Sequence, residues 1–459
     1  MKFFWTILFA ALLAGCATYH PDPLSPETTA GNFQARSLTN EDLCAFLDTN
    51  HFDGKWDLSA LTLVAFYYQP ALAEARAQWA AVRAAEITAG ARPNPSVSVT
   101  PAYDSQIPDN PSPWIVPLTF DIPIETAGKR GKRIAEAKDE SEAARWDLIG
   151  QIWETRSHVR TALLNLYAAQ REESLLARQE MAQSNVMRLL EGQLSLGSAS
   201  SYDVTQARVA LETTQLARED AIGQANQSLA QLAGALGVPM GALEDAPFDF
   251  DDFTHFPDNL TAPGIRARAL YNRADVRGAL ADYAASQAAL QLEIARQYPD
   301  VHLGPGYAWN NGNAGDNQWS LGLTVTLPVL DQNQGPIAEA KARRAQAAAH
   351  FLTVQTTAIT EIDSAIAGYD AARKKAAVAG TLLEDLQKQL RSARAQAQAG
   401  EIDGLARANA EAEYATGAQA QTQALIQAQQ ALGDLENAMQ SPSILPPETV
   451  DAAANQQIK

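Results

Sequence analysis

Two cysteines (Cys16 and Cys44), six histidines (His20, His51, His158, His255, His302 and His350) and a surplus of carboxylates are what this chain of 459 residues offers for chemistry. The histidines are scattered, and none has a second ligand at metal-binding spacing. No His-Glu-x-x-His, Cys-x-x-Cys or glycine-rich phosphate loop occurs, so metalloprotease, thiol-redox and nucleotide chemistry lack their residues. The densest acidic run, Asp-Phe-Asp-Asp-Phe at 249–253, reads as solvated surface rather than as a metal cage. No enzyme, no resident metal and no cofactor are expected. The residues left to explain act by position: His302, Asp203 and a few charges near two glycine-marked breaks.

The elements that position them start with four stretches of alternating residues. Trp319, Leu321, Leu323, Val325 and Leu327 alternate with Ser320, Gly322, Thr324 and Thr326. Upstream, Val301, Leu303, Pro305, Tyr307 and Trp309 alternate with His302, Gly304, Gly306 and Ala308. Successive side chains on a strand point to opposite faces, so each stretch has one apolar and one small or polar face. An earlier pair repeats the design: Val97, Val99, Pro101 and Tyr103, then Trp114, Val116, Leu118, Phe120 and Ile122, with Ile115 and Pro117 on the polar side. Strands of roughly ten residues with aromatics near their ends fit a transmembrane β-barrel. Trp114, Leu118, Phe120, Tyr307, Trp309, Trp319, Leu321, Leu323 and Val325 are the expected lipid-facing set. His302 shares the small-residue face and is expected to point into the lumen. A bilayer leaves no backbone group to water, so a barrel must close, and bacterial barrels need at least about eight strands. One copy cannot close; three copies would supply about twelve strands.

Hydrophobic residues make up 46% of the chain but aromatics only 7%, a mixture that favours closely packed, alanine-rich helices over a thick core. A net charge of −18 argues against nucleic acid and would make a lumen attractive to cations. After the first hairpin, residues 133–196 have helical periodicity without proline, a rod of roughly 95 Å. The break at 196–201 returns the chain as a helix to about 236. A connector, 241–263, follows. Helix, hairpin, rod, break and return then recur, with the second break at 400–404. Leu118-Thr119-Phe120-Asp121-Ile122-Pro123 matches Leu323-Thr324-Val325-Thr326-Leu327-Pro328, and Ile134-Ala135-Glu136-Ala137-Lys138 is identical to Ile337-Ala338-Glu339-Ala340-Lys341. The organisation expected is a leader (1–16), an N-terminal linker or equatorial segment (17–57) that is extended over 19–40, a first repeat (58–240) opening on a helix over 58–90, the equatorial connector (241–263), a second repeat (264–440) opening on a helix over 264–297, and a loose tail (441–459). The leader's Leu13-Ala14-Gly15-Cys16 resembles a bacterial lipoprotein signal. That resemblance implies a lipidated Cys16 and, with Ala17 rather than aspartate next, outer-membrane sorting.

The whole plan resembles the TolC family of outer-membrane efflux proteins over about 58–440. The marks are the duplicated halves, Pro123 and Pro328 at the strand ends, and the pattern Gly197-Ser-Ala-Ser200-Ser-Tyr-Asp203-Val204. The second break, Gly400-Glu401-Ile-Asp403-Gly404, departs from that pattern. The resemblance implies a mainly α fold with a small membrane β part. Long antiparallel helical hairpins would form an α-barrel tunnel, and four strands per chain would join a shared trimeric barrel. It also implies a periplasmic adaptor and an inner-membrane pump of the RND type, with this chain as a passive duct. Gly197, Ser200, Asp203, Arg391, Arg394, Gly400, Glu401 and Asp403 are then the candidates for adaptor contact or gating, with helix capping the simpler role for Asp203. Gly128-Lys129-Arg130 and Asp331-Gln332-Asn333-Gln334-Gly335 are similar to motifs of CzcC-like heavy-metal efflux channels, with Gln332 where arginine is usual. Those motifs fall where strand becomes helix and suit a structural role there. Export of drugs or other organic compounds, and a non-conducting lipid-anchored spacer, remain the alternatives.

Overall fold

The computed structural model describes residues 17–50, 52, 54–103, 105, 114–257, 264–310, 317–441 and 444–456. Cys16 and the expected leader lie outside them. Four long helices dominate. Helix α5 (Lys129–Ser195) runs 67 residues, and α6 (Ser201–Leu236) returns along it. Helix α9 (Gln334–Gln398) runs 65 residues, and α10 (Gly404–Met439) returns along it. At about 1.5 Å per residue the two outgoing rods are each roughly 100 Å long. Pro336 lies in the first turn of α9, where its missing N–H costs nothing. Shorter helices α3 (Leu58–Tyr68) and α4 (Pro70–Gly90) precede the first rod, and α7 (Ile265–Asn272) and α8 (Ala274–Ala295) precede the second.

The expectation of one continuous helix in each of these leading segments is corrected, and at matching positions. Gln69 and Arg273 both hold extended backbone between two helices. In the first half Pro70 forces the break, because proline disfavours helix in the residue before it. In the second half no proline is present. There Arg273 holds the bend by ion pairs to Asp275 and Glu361, both at 2.7 Å, and a bond to the Ala438 carbonyl at 3.1 Å.

The core sits at mid-rod. Leu148, Ile152, Val159, Leu163, Leu164 and Leu166 of α5 are almost fully buried against α3, α6 and the connector, where Phe253 is fully buried. The matching cluster of the second half is smaller, built on Ile362, Tyr369, Leu432 and Leu435. Beyond Ala182 the α5 rod buries no further residue, so its distal turns have no closed core around them.

Both ends of the chain are better ordered than expected. The segment read as an extended linker contains α1 (Pro26–Gln34) and α2 (Glu41–Thr49). Arg36 anchors it to the Tyr68 and Gly237 carbonyls at 3.1 and 2.6 Å. The tail read as loose contains α11 (Pro447–Asn455), whose Ala453 carbonyl accepts from Arg76 Nε at 2.7 Å. Burial lowers the Arg76 guanidinium to about 10, still charged at neutral pH. The connector is irregular, as its composition implies, and Asp249 of its acidic run pairs with Lys55 at 3.3 Å.

A buried polar joint ties the halves together. Arg160 of α5 donates to the Gln429 carbonyl (2.7 Å) and to Gln429 Oε1 (3.0 Å) on α10. Gln429 Nε2 donates to the carbonyls of Phe253 and His255 in the connector, at 3.1 and 2.9 Å. Glu436 takes Arg156 and Arg160 at 3.0 and 3.3 Å. One side chain thus satisfies three elements, and truncating it strands several buried polar groups at once. Gln429→Ala is expected to destabilise the fold by on the order of 3 kcal/mol, read as a lower thermal midpoint by circular dichroism in detergent.

Candidate functional site

One antiparallel sheet combines both hairpins. Strands β1 (Ser96–Val99), β2 (Ala102–Tyr103), β3 (Trp114–Ile124), β4 (Val301–Asn310) and β5 (Gln318–Val325) occupy four lanes, because β1 and β2 lie end to end along β3. The order is β1-β3-β4-β5, so the two halves of the duplication meet at β3–β4. The first lane breaks at Thr100 and Pro101, opposite Pro117, where neither proline has an N–H to give the ladder.

Register fixes the faces. Val97 pairs with Phe120, Val99 with Leu118, Leu118 with Tyr307, Leu303 with Leu323, Val301 with Val325 and Tyr307 with Trp319. All nine residues expected to face lipid therefore share one side of the sheet. Trp319, Leu321 and Leu323 are 84, 76 and 66% exposed, an apolar surface that water does not tolerate across a whole sheet. Tyr103 packs edge-on to Trp114 at 5.2 Å, and Tyr307 meets Trp319 at 4.7 Å, so each hairpin has an aromatic pair at equivalent places. The opposite face presents Ser96, Ser98, Thr119, Gly304, Gly306, Ser320, Gly322 and Thr324. Gly306 must stay small, since a Cβ there would lie 2.5 Å from Ser320 Oγ. On this face His302 Nδ1 meets both oxygens of Asp121, at 2.9 and 3.1 Å.

Below the sheet, the Gly-Lys-Arg and Asp-Gln-Asn-Gln-Gly segments form the joints. Gly128 and Asn333 adopt left-handed backbone as the caps of α5 and α9. Arg130 donates to the Gly90 carbonyl and Arg133 to those of Ala89 and Ala91, while Arg133 also grips Glu125. Asn333 Nδ2 donates to the Glu293 carbonyl at 2.8 Å. Asp300 accepts from the Thr126 amide at 2.9 Å and from Lys129 Nζ at 2.8 Å. Burial raises the Asp300 carboxyl, but the Lys129 and Thr126 bonds outweigh it and hold it below the ordinary carboxylate value.

At the far ends, Gly197 and Gly400 adopt positive φ (75° and 78°) and turn each rod back. Ser200 caps α6, and Asp203 completes a capping box by accepting from the Ser200 amide at 3.0 Å. Asp203 is therefore the third helical residue and Ser200 the cap itself. The second break does the job with one residue: Asp403, at the position matching Ser200, accepts from the Ala406 amide at 2.8 Å. Sequence reading left this role of Asp403 unseen, although its offset from Gly400 equals that of Ser200 from Gly197. Arg394 pairs with Glu411 of the same chain at 3.2 Å, and Glu401 is exposed. Arg391 and Arg394 line a groove of about 560 Å³ between the two rod pairs, with Arg178 and Met181 across from them. Among the described residues no cluster of three or more His, Cys, Asp or Glu could hold a metal, and no helix is long and apolar enough to cross a membrane.

An amphipathic sheet standing on paired rods of roughly 100 Å is the architecture against which known proteins can be compared. Residues 67–238 and 265–440 each match the model of the family "Outer membrane efflux protein", and the chain belongs to that family. It is 27% identical over 216 residues to the cobalt-zinc-cadmium resistance protein CzcC of Cupriavidus metallidurans, covering 47% of this chain and 50% of that protein. It is 27% identical over 224 residues to the pyoverdine export outer membrane protein OpmQ of Pseudomonas aeruginosa, covering 47% and 46%. The chain thus matches about half the length of these relatives. It shares its fold with the outer membrane protein VceC of Vibrio cholerae, at a TM-score of 0.67 and 19% identity, over 83% of this chain and 95% of that one. Its family is thus that of the outer-membrane efflux proteins, and its fold is one found in an outer-membrane protein.

Two predictions follow from the local chemistry of joint and tip. A carboxylate whose folded value is depressed stabilises above its unfolded value and loses that contribution as pH falls through the folded one. The Asp300 joint is therefore expected to hold from neutral pH to about pH 4 and to loosen below it. Hydrogen exchange at the Thr126 amide should show this, and Asp300→Asn should abolish the pH dependence. Ser200→Ala is expected to cost about 1 kcal/mol of local helix stability, read as faster exchange of amides 201–204 with no change at 404–407.

Proposed function

We propose that three copies of this chain close a barrel of about twelve strands and act as the passive outer-membrane duct of a tripartite exporter. The observation that carries this reading is the open four-lane sheet. Among the described residues its outer lanes, β1 with β2 on one side and β5 on the other, have no strand on their outer sides, and one whole face is apolar. Lipid can cover the face but cannot bond the edges, and a second copy can. The paired rods below would then line a shared tunnel whose walls continue the small-residue face. Cys16, acylated, would tether the assembly to the outer membrane. A periplasmic adaptor would engage the tips, and an inner-membrane pump of the RND type would supply energy and cargo. Opening would be a rigid-body shift of one rod pair against the other, biased by docking.

The cargo we assign is heavy-metal cations. The likeness to a cobalt-zinc-cadmium resistance protein, the Gly-Lys-Arg joint and the charge of −18 support it. The likeness to a pyoverdine exporter favours organic cargo as the second reading. A deletion strain tested for survival on zinc, cobalt and cadmium and on dyes and detergents separates the two: lost metal tolerance supports the first, and drug sensitivity with unchanged metal tolerance the second. The duct itself is tested by Leu323→Asp with Val325→Asp, expected to abolish outer-membrane assembly in a membrane fractionation assay. Thr324→Asp, on the other face, should assemble normally. Normal assembly of the double variant would defeat the barrel.

A further inference from the structure

We propose that His302, oriented by Asp121, is a lumenal ligand for borderline-soft divalent cations, one imidazole per chain, touched by each ion as it leaves. The inference deepens the duct reading and rests on it. Among the described strand residues Asp121 and His302 are the ionisable side chains apart from two tyrosines on the opposite face; the rest are apolar, small or neutral polar. They come from different halves of the chain and meet only because β3 pairs with β4.

The geometry sets the ring's chemistry. A carboxylate only accepts, so the Nδ1 that Asp121 holds at 2.9 Å carries the proton. In the neutral ring the lone pair then sits on Nε2, which has no partner among the described residues, and the His302 side chain is 38% exposed. A carboxylate behind an imidazole fixes its tautomer and ring orientation, the arrangement that supports histidine as a ligand for zinc-like ions. The surroundings add no competing cation. Thr324 faces His302 from β5, Pro123 from β3, and Ser96 pairs with Asp121 from β1. Asp300, two residues before His302, is already engaged by Lys129 of α5. With His302 neutral the pair bears one negative charge, which attracts cations.

The duplication makes the site sparse. Val97-Ser98-Val99-Thr100-Pro101-Ala102-Tyr103 matches Val301-His302-Leu303-Gly304-Pro305-Gly306-Tyr307, so Ser98 stands where His302 does and Thr326 where Asp121 does. The seam between copies, β5 against β1, would therefore be neutral while the β3–β4 seam within each copy is charged. Ligands on one seam in four of a barrel of about twelve strands are too far apart to share one ion. Each contact is single-toothed and weak, which suits a conduit that must release what it binds.

Purified full-length protein in planar lipid bilayers tests this, with zinc chloride added to a potassium-carried current. Wild type is expected to show a concentration-dependent fall in current at pH 7.5. His302→Ala should conduct potassium as wild type does and lose the zinc effect. Asp121→Asn should raise the half-blocking zinc concentration about 10-fold. Should His302→Ala fail to assemble, His302→Gln keeps a donor for Asp121 and serves in its place, with the same loss expected. A conducting His302 variant blocked by zinc like wild type overturns the inference and leaves the duct intact. A wild-type current that zinc leaves unchanged overturns the inference as well, and a purified wild type that stays monomeric and soluble without detergent overturns the duct and the inference with it.

Discussion

Neighbouring strands lie about 4.8 Å apart, and packed helices lie 8–10 Å apart. This chain must pass between the two spacings within a few residues, four times. The rest of the structure depends on how that change of scale is held. The loops that make it cannot use a ladder or a helix to bond their own backbone. Arg130 and Arg133 from the first turns of α5, with Asn333 at the start of α9, do it instead, reaching the carbonyls of Ala89, Gly90, Ala91 and Glu293. Left-handed backbone at Gly128 and Asn333 aims each rod. The segments that look like signatures of a metal-exporting branch are thus the couplings between sheet and rod, and their residue types follow from carbonyls that need donors.

Most of the architecture was legible because it is periodic. Alternation at two gave the strands and their faces, helical spacing without proline gave the rods, and repetition gave the second half. What stayed hidden depends on contacts far apart in sequence. The bend at Arg273 has no proline to announce it and exists through Glu361, 88 residues on. The tail helix is read as loose until Arg76 is seen to bond a carbonyl 377 residues away. The pairing of β3 with β4 left no local trace, so His302 could be assigned a face but not its partner Asp121, 181 residues off.

The duplication is exact in plan and unequal in detail. Both tips turn on a positive-φ glycine, yet one is closed by a two-residue box and the other by a single aspartate. Both leading helices bend at the same place for different reasons. Most of the buried core belongs to the first half, and the second half is joined to it through Arg160, Gln429 and Glu436. Equivalent backbones have therefore diverged in what stabilises them, and the polar joint at mid-rod compensates for the thinner of the two cores.

The break between β1 and β2 bears on the life of the chain before assembly. An isolated molecule exposes sticky edges to every other nascent copy. Along one of those edges, Pro101 cuts the available ladder to the four residues of β1 and the two of β2. Strangers meeting out of register find too short a template to grow a fibre. Quality control against aggregation is thereby written into the lane that edges the sheet.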